Sequence, residues 1–242
     1  MDLPLALTGA LPALAAMWYF DRVDARRPEP RWTLRRVAIA GALSTIPCAA
    51  AAYALLEAAP PAPSYQRALY ESFVVAAGVE ELAKVLIVYW LVWRRPEFDE
   101  RLDGIIYAAR AGLGFALVEN VLYLLATDTM KGFAVTYLLR ALLAVPGHAI
   151  WAGVMGYYAA IRRFDRVGPG LIGGYLLAVL LHGSYDAAIF LGEPLRNHDL
   201  QNIAYGLLFF LPATIICGGL ALRRMAQTAL ARDDADHGAH SV

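Results

Sequence analysis

Long apolar stretches are the feature that most restricts what this chain can fold into. The hydrocarbon core of a bilayer is about 30 Å thick, so an α-helix needs about 20 apolar residues to cross it. Within lipid, every backbone polar group must be paired inside the protein, and a helix does this by itself. Seven stretches of the chain approach or exceed that length, namely residues 3–20, 36–57, 70–93, 104–126, 132–160, 169–192 and 200–222.

The expected fold is therefore all-α, a polytopic transmembrane helical bundle of about seven spans. Because 59% of the 242 residues are hydrophobic, we expect one transmembrane domain over residues 1–230 and no separate soluble domain. The polar residues 231–242 are expected to form a disordered cytoplasmic tail. The first stretch is short, but no basic residue precedes it, so we interpret it as a retained span rather than a signal peptide.

The basic residues predict the orientation of the bundle. If the loop after the first span faces the cytoplasm, alternate loops place 15 of the 21 basic residues inside and three outside, with three more within spans. Such asymmetry is the positive-inside signal, and it predicts an outer N-terminus and a cytoplasmic C-terminus. The formal net charge is zero, which gives no indication of nucleic-acid binding, and we expect none.

Several ionisable and polar residues lie inside the apolar stretches. A charged side chain at the bilayer centre costs about 3 kcal/mol or more, so such residues are functional candidates. Counting along each stretch places them within one or two helical turns of the membrane centre on four different helices. They are Glu80, Glu81, Lys84, Glu119, Asn120, His148, His182 and Asp186.

Spacing within each helix predicts which of these groups meet. Lys84 follows Glu80 by one turn, and Asp186 follows His182 by one turn, so each pair shares a helix face. Consecutive residues diverge by about 100°, so Glu80 and Glu81 are expected to point in different directions. We therefore expect one glutamate to face a catalytic cavity and the other to form a salt bridge.

The expected salt-bridge partner of that second glutamate is Lys84, Arg110 or Arg140, all of which lie within or near spans. Arg110 and Arg140 are otherwise open to two interpretations, as counter-ions of the site or as packing residues. Trp151 is interpreted as a packing residue. The two cysteines of the chain are too few for a thiolate metal site.

Two chemistries fit this set of residues. In the first, Glu119, His148 and His182 bind Zn²⁺ with an open position for water, and another glutamate is the general base. In the second no metal takes part, a buried glutamate accepts the proton of the water, and the histidines stabilise the oxyanion. Both describe hydrolysis of an amide bond inside the membrane, with Glu80, Glu81, Glu119, His148 and His182 as the catalytic candidates.

Four short motifs resemble those of the PrsW-type intramembrane proteases, a branch of the wider CAAX prenyl protease and bacteriocin-processing superfamily. The CAAX branch typically has Glu-Glu-x-x-x-Arg and Phe-x-x-x-His, whereas Lys84 and Glu119 stand here, which favours the PrsW side. The resemblance covers about residues 70–220, the expected catalytic core. The motifs are Glu80-Glu81-Leu82-Ala83-Lys84, Phe115-Ala-Leu-Val-Glu119-Asn120, Gly147-His148 and His182-Gly-Ser-Tyr-Asp186.

The resemblance implies a bacterial inner-membrane metalloprotease that cuts membrane-anchored proteins, with anti-sigma factors as the known kind of substrate. The expected partners are then the lipid bilayer and a membrane protein with a transmembrane helix. The alternative from the residues alone is a non-enzymatic transporter or proton relay, which also uses intramembrane Glu, His and Asp. A retinal protein is disfavoured because the last span, residues 200–222, contains no lysine.

Overall fold

The structure, a computed structural model, describes residues 2–239 and is all-α over that range. Seven long helical segments follow one another, joined by short loops. They are α1 (Leu3–Val23), α2 (Arg31–Leu56), α3 (65–91), α4 (Arg101–Leu125), α5 (Met130–Phe164), α6 (Gly170–Asn197) and α7 (Gln201–Ala239).

Six of the seven segments are long and apolar enough to cross a membrane, so the protein is a multi-pass membrane protein. The exception is α3, which is long enough but carries several charged residues near its middle, among them Glu80, Glu81 and Lys84. Because charged groups are stable at that depth only when they are enclosed by protein, α3 depends on its neighbours to cover this part of its surface.

Helix α4 is the most buried of the six candidate spans and packs against both α2 and α5. Small residues permit close packing at the crossing of α4 and α5. Gly104 of α4 and Gly156 of α5 lie so close that a Cβ on either would overlap the backbone of the other. Gly112 likewise leaves no room for a Cβ beside the backbone of His148. These contacts hold the His148 backbone directly against α4.

Two wide, π-helical turns interrupt the helices that lead into the centre of the bundle. One covers Glu71–Gly78 in α3, and the other covers Arg140–Ala144 in α5. In α5 the cause is local, because Pro146 follows and has no N–H to donate to the preceding turn. In α3, the carbonyl oxygen of Phe73 lies very close to Gly78. A Cβ at this position would be only 2.8 Å from that oxygen, so a glycine suits the wide turn.

Helix α7 contains 39 residues, which at 1.5 Å per residue makes it about 58 Å long, well beyond the thickness of a bilayer. The structure differs here from the expected disordered tail, since α7 continues through Ala239. Asp233 accepts hydrogen bonds from the backbone and guanidinium of Arg101, and Asp234 pairs with two arginines of the first loop. These long-range ion pairs stabilise the end of α7. Residues 240–242 of the expected tail lie outside the described residues.

Candidate active site

Helices α3, α4, α5 and α6 bring the polar residues of the sequence motifs into one buried cluster. The rings of His148 and His182 approach edge to face, with centroids 5.4 Å apart. His148 is 3% exposed and His182 is 4% exposed, whereas Glu81 and Lys84 are fully buried. The structure therefore brings together the side chains that the sequence analysis selected on four separate helices.

His148 has a polar partner on each ring nitrogen. Its Nδ1 lies 2.9 Å from Nζ of Lys84, and its Nε2 lies 2.8 Å from Oε2 of Glu119. A lysine ammonium has only donors, so Nδ1 accepts a hydrogen bond and Nε2–H donates to Glu119. These two contacts fix the tautomer and the orientation of the ring.

His182 lies between two carboxylates. Its Nδ1 is 2.8 Å from Oε1 of Glu81, and its Nε2 is 3.3 Å from Oδ2 of Asp186. Glu81 is on α3, whereas Asp186 follows His182 by one turn on α6. Carboxylates placed in this way commonly orient a histidine that binds a metal or transfers a proton.

The two adjacent glutamates make different contacts within the cluster. Glu81 both receives a 2.6 Å hydrogen bond from Lys84 and contacts His182, while Glu80 lies 3.8 Å from Lys84 and 3.9 Å from His148. Neither glutamate turns away from the cluster. The reason is helical geometry, because Lys84 lies about 40° around the helix from Glu80, between the two glutamate positions.

The arginine nearest the cluster is Arg140, whose two interpretations the sequence left open. Its guanidinium donates to Glu119 at 2.6 Å and to Oδ1 of Asn120 at 2.7 Å, and it lies over the ring of Tyr123. Asn120 also donates to the carbonyl oxygen of Gly9 and so connects the site to α1. Arg110 is not part of the site, since it pairs with Asp21 instead.

Trp151 belongs to the site, although the sequence analysis treated it as a packing residue. Its ring stacks on His182 with centroids 4.1 Å apart and an interplanar angle of 15°, and it meets His148 edge to face. The spacing in the sequence could have indicated that Trp151 belongs to the site, because it follows His148 by three residues and therefore lies on the same face of α5.

The cluster fits a divalent cation on two observations. Ligand atoms of Glu80, His148 and His182 all lie within 4.8 Å of one another, and Oε2 of Glu80 is buried without a hydrogen-bond partner. Formal charge agrees, since four carboxylates (Glu80, Glu81, Glu119 and Asp186) face only Lys84 and Arg140. Neutral histidines would leave two negative charges uncompensated in a buried site, which one divalent cation offsets.

This group differs from the sequence prediction in one residue. The sequence analysis assigned Glu119, His148 and His182 to the metal, whereas the converging group contains Glu80 in place of Glu119. Glu119 instead contacts Nε2 of His148 and the guanidinium of Arg140. The sequence alone could not distinguish the two glutamates, because both occupy similar depths.

One edge of the cluster is open. The side chains of Glu80 and Asp186 are each 15% exposed and that of Glu119 is 18% exposed, in contrast to the histidines. Glu119 lies in the last third of α4. Asp186 lies close to Phe190, where the first and longer helical part of α6 ends. The open edge therefore faces the end of the bundle opposite the arginine-rich loops.

Known proteins match most of the chain. The profile of a family described as "PrsW family intramembrane metalloprotease" matches residues 29–217. A "Protease PrsW" of Geobacillus kaustophilus is 36% identical over 75% of this chain and 78% of its own length. The proteins of the same name from Oceanobacillus iheyensis and Bacillus subtilis are each 34% identical, over 76% and 74% of this chain and 82% and 79% of their own lengths.

No solved structure matches the chain. The family profile nevertheless covers the segments that carry all the residues of the buried cluster, since it matches residues 29–217. The profile and the relatives agree with a protease and lend no support to a transporter or a proton relay. The chain belongs to the PrsW family of intramembrane proteases.

Proposed function

We propose that this protein is an endopeptidase of the bacterial cytoplasmic membrane that hydrolyses a peptide bond of a membrane-anchored protein such as an anti-sigma factor. The observation that carries this proposal is the convergence of two histidines and four carboxylates inside a membrane-spanning bundle. The catalytic core comprises about residues 70–220 of a single transmembrane domain, whose last helix α7 continues beyond the expected boundary at residue 230, through Ala239. The N-terminus faces outward and the arginine-rich loops face the cytoplasm.

Glu80, His148 and His182 are the residues we assign as ligands of a divalent ion, with Zn²⁺ as the candidate. When bound, such an ion supplies a water of lowered pKa and polarises the scissile carbonyl. The unpartnered Oε2 of Glu80 and the excess of carboxylates support this assignment.

The other residues hold these three in place. Glu119 accepts a hydrogen bond from His148 and is itself held by Arg140. Glu81 and Asp186 contact the two nitrogens of His182, and Trp151 covers one face of its ring. In this proposal Glu119, at the open edge, accepts the proton of the attacking water, since it lies beside His148 and is partly exposed.

Lys84 keeps the negative charges of α3 together. It donates to Glu81 and His148 and lies near Glu80, without any exposure to solvent. A metal-free route uses the same residues, with the unpartnered Glu80 as the proton acceptor and the histidines as donors to the oxyanion.

Proteolysis of a model transmembrane substrate in liposomes tests the proposal. We expect Glu80→Gln and His148→Ala each to lower kcat by about 100-fold or more, because each removes a group that touches the reacting atoms. Glu71→Gln is the matched control, since Glu71 is on the same helix and pairs with Arg67 outside the cluster. Normal cleavage by both site variants would contradict the proposal.

A chelator distinguishes the two routes. If a divalent ion takes part, activity is lost on treatment with 1,10-phenanthroline and restored by added Zn²⁺, and Glu80→Gln lowers the zinc content of the purified protein. Full activity after chelation, with no zinc in the protein, would contradict the metal assignment and leave the metal-free route.

A further inference from the structure

A groove lies between α1 and α2 at the arginine-rich end of the bundle, separate from the candidate active site. Its volume is about 830 Å³, and α4 forms its floor. Both α1 and α2 pack on α4, and residues of all three helices line the groove. We call it the α1–α2 groove. Its lining includes Leu14, Met17, Trp18, Asp21, Arg22, Asp24, Glu29, Arg31, Arg35, Ala38, Ile39, Ala42, Arg110 and Leu117.

The half of the groove nearer the bundle centre is apolar. Leu14 is 48% exposed and Ile39 is 58% exposed, although both belong to candidate membrane spans. Met17, Ala42 and Leu117 complete this wall. An apolar surface at membrane depth faces hydrocarbon, so this half of the groove is suited to an acyl chain.

The rim of the groove is basic. Arg31 and Arg35 line it, and within residues 2–239 neither side chain has a recorded hydrogen bond, ion pair or ring contact. Arg22, from α1, lies over the ring of Trp18 at 4.7 Å and faces the same space. Guanidinium groups bind phosphate oxygens in a fork geometry, so the rim is complementary in charge and shape to a phosphate group.

A buried arginine within the groove provides an independent indication of a ligand. Arg110 lies inside α4, is only 8% exposed, and lines the groove. It donates to Asp21 and, at 3.5 Å, to the carbonyl oxygen of Met17, but its Nε is buried without a partner. An unpaired donor of a charged group inside a membrane bundle is costly, so an acceptor is expected there.

Three acids also line the groove, and each is compensated. Asp21 pairs with Arg110, Glu29 accepts a hydrogen bond from the hydroxyl of Tyr107, and Asp24 accepts one from the backbone N–H of Glu29. Burial raises the pKa of Glu29, and it raises the pKa of Asp24 to about 7. The groove thus contains four arginines and three acids, all of them among the described residues, and only Asp21 among the acids forms an ion pair with one of these arginines.

We propose that the α1–α2 groove binds an anionic glycerophospholipid. One acyl chain lies along Leu14, Ile39 and Leu117, and the phosphate lies at Arg31 and Arg35. Basic pockets between transmembrane helices select anionic lipids by this combination of charge and apolar contact. The bound lipid fills the space between α1 and α2 and covers Arg110.

Native mass spectrometry of the intact protein, released from nanodiscs that contain equal amounts of phosphatidylglycerol and phosphatidylcholine, tests the proposal. We expect retained phosphatidylglycerol on the wild type, and a loss of about tenfold or more in Arg31→Gln/Arg35→Gln, because each arginine contributes to binding of an anionic lipid. The matched control is Arg36→Gln/Arg95→Gln, which removes two arginines that line a different, smaller groove.

Three results of this experiment would overturn the proposed lipid site. Equal loss in the two double variants would overturn the proposal, because it would indicate diffuse attraction to the membrane surface. Equal retention of phosphatidylcholine, or displacement of the lipid by inorganic phosphate alone, would also overturn it. Thermal unfolding of each variant in detergent checks that the fold is intact before lipid binding is compared.

A second pair of variants tests the apolar half without a change of charge. Ala42→Phe places a large side chain in the groove, whereas Ala49→Phe, on the exposed surface of the same helix, does not. We expect only Ala42→Phe to lose phosphatidylglycerol. Unchanged retention in Ala42→Phe would refute the acyl-chain position.

Discussion

The two histidines of the buried cluster have no ring nitrogen without a polar neighbour. His148 lies between Lys84 and Glu119, and His182 lies between Glu81 and Asp186. This arrangement prevents either ring from rotating freely, because a rotation breaks two hydrogen bonds in a medium where lost bonds are costly. A metal held by both rings would have to replace at least one contact on each ring, and on His148 the bond from Lys84 is the one on the side of Glu80.

Trp151 offers a test of how strongly this orientation matters. We expect Trp151→Ala to lower kcat by about 10- to 100-fold, with little change in KM, because removal of the stacked ring leaves His182 free to tilt. Trp151→Phe keeps a flat ring and should retain most of the activity. Cleavage assays with both variants check this, and equal activity of Trp151→Ala and wild type would contradict a positioning role.

Asp24, in the loop after α1, gives a prediction on pH. The pKa of Asp24 is raised to about 7, chiefly by burial; the Glu29 and Glu100 carboxylates contribute to the increase, whereas the Glu29 N–H and Arg27 oppose it. Because the folded pKa lies above the unfolded value, the folded state binds the proton more tightly, and stability falls as pH rises towards 7. Asp24→Asn should therefore raise Tm at pH 8 relative to wild type and leave it nearly unchanged at pH 4.

The measurement is thermal unfolding in detergent at several pH values. Asp128→Asn is a suitable control, since Asp128 lies in the loop between α4 and α5, far along the chain from Asp24. A parallel shift of the two variants at every pH would contradict the assignment of the pH dependence to Asp24.

At the scale of the helices, the two wide turns affect where the side chains of the candidate active site point. Each wide turn directly precedes a site motif, Glu71–Gly78 before the two glutamates and Arg140–Ala144 before His148. Every extra residue in a turn rotates the helix that follows, and single π-helical turns of this kind are frequent at functional sites. In α5 the wide turn also includes Arg140, the residue that holds Glu119.

Much of this helical framework could be predicted from the sequence, because apolar length and helical spacing are local properties. The depth of the motif residues and the pairing of His182 with Asp186 depend only on such counting. The wide turn in α3 could not be predicted, since residues 64–95 contain no proline. The ion pairs of Asp233 and Asp234 join residues far apart in the chain, so a tail that composition marked as disordered is helical through Ala239.

The crossing of α4 and α5 gives a prediction at this scale. Gly104→Ala should lower Tm and activity together, because its Cβ would overlap the Gly156 backbone and such overpacking costs about 1–3 kcal/mol. Gly206→Ala is the control, since a Cβ there meets nothing within 4 Å. Alanine is the better helix former by about 1 kcal/mol, so the control should be neutral or slightly stabilising. Unaltered Tm in Gly104→Ala would contradict the close crossing.

At the scale of the whole molecule, the two ends of the bundle differ in character. The arginine-rich end is closed by ion pairs that connect α7 to the loops, such as those of Arg101 with Asp165 and Asp233. The opposite end carries the open edge of the cluster, with partly exposed Glu80, Glu119 and Asp186. Water and a substrate chain are therefore expected to reach the site from the end opposite the arginines.

The position of the site within the bundle also predicts how a substrate must be presented. A transmembrane helix hides its carbonyl groups in internal hydrogen bonds, and no backbone group is left unpaired in lipid. The substrate must therefore unwind near the scissile bond before a water beside the histidines can attack it. Gly or Pro at that position lowers the cost of unwinding by about 1–3 kcal/mol, so such substitutions in a model substrate should increase the rate of cleavage.

The experiment compares cleavage of a transmembrane substrate in liposomes with and without these residues near the scissile bond, by the wild type and by Glu80→Gln as the inactive control. Placing the same Gly or Pro two turns away from the scissile bond controls for a general effect on insertion. Because unwinding is needed only where the chain is cut, the distant substitutions should leave the rate nearly unchanged. Equal acceleration at both positions, or cleavage only in soluble loops far from the membrane, would contradict local unwinding at the buried cluster.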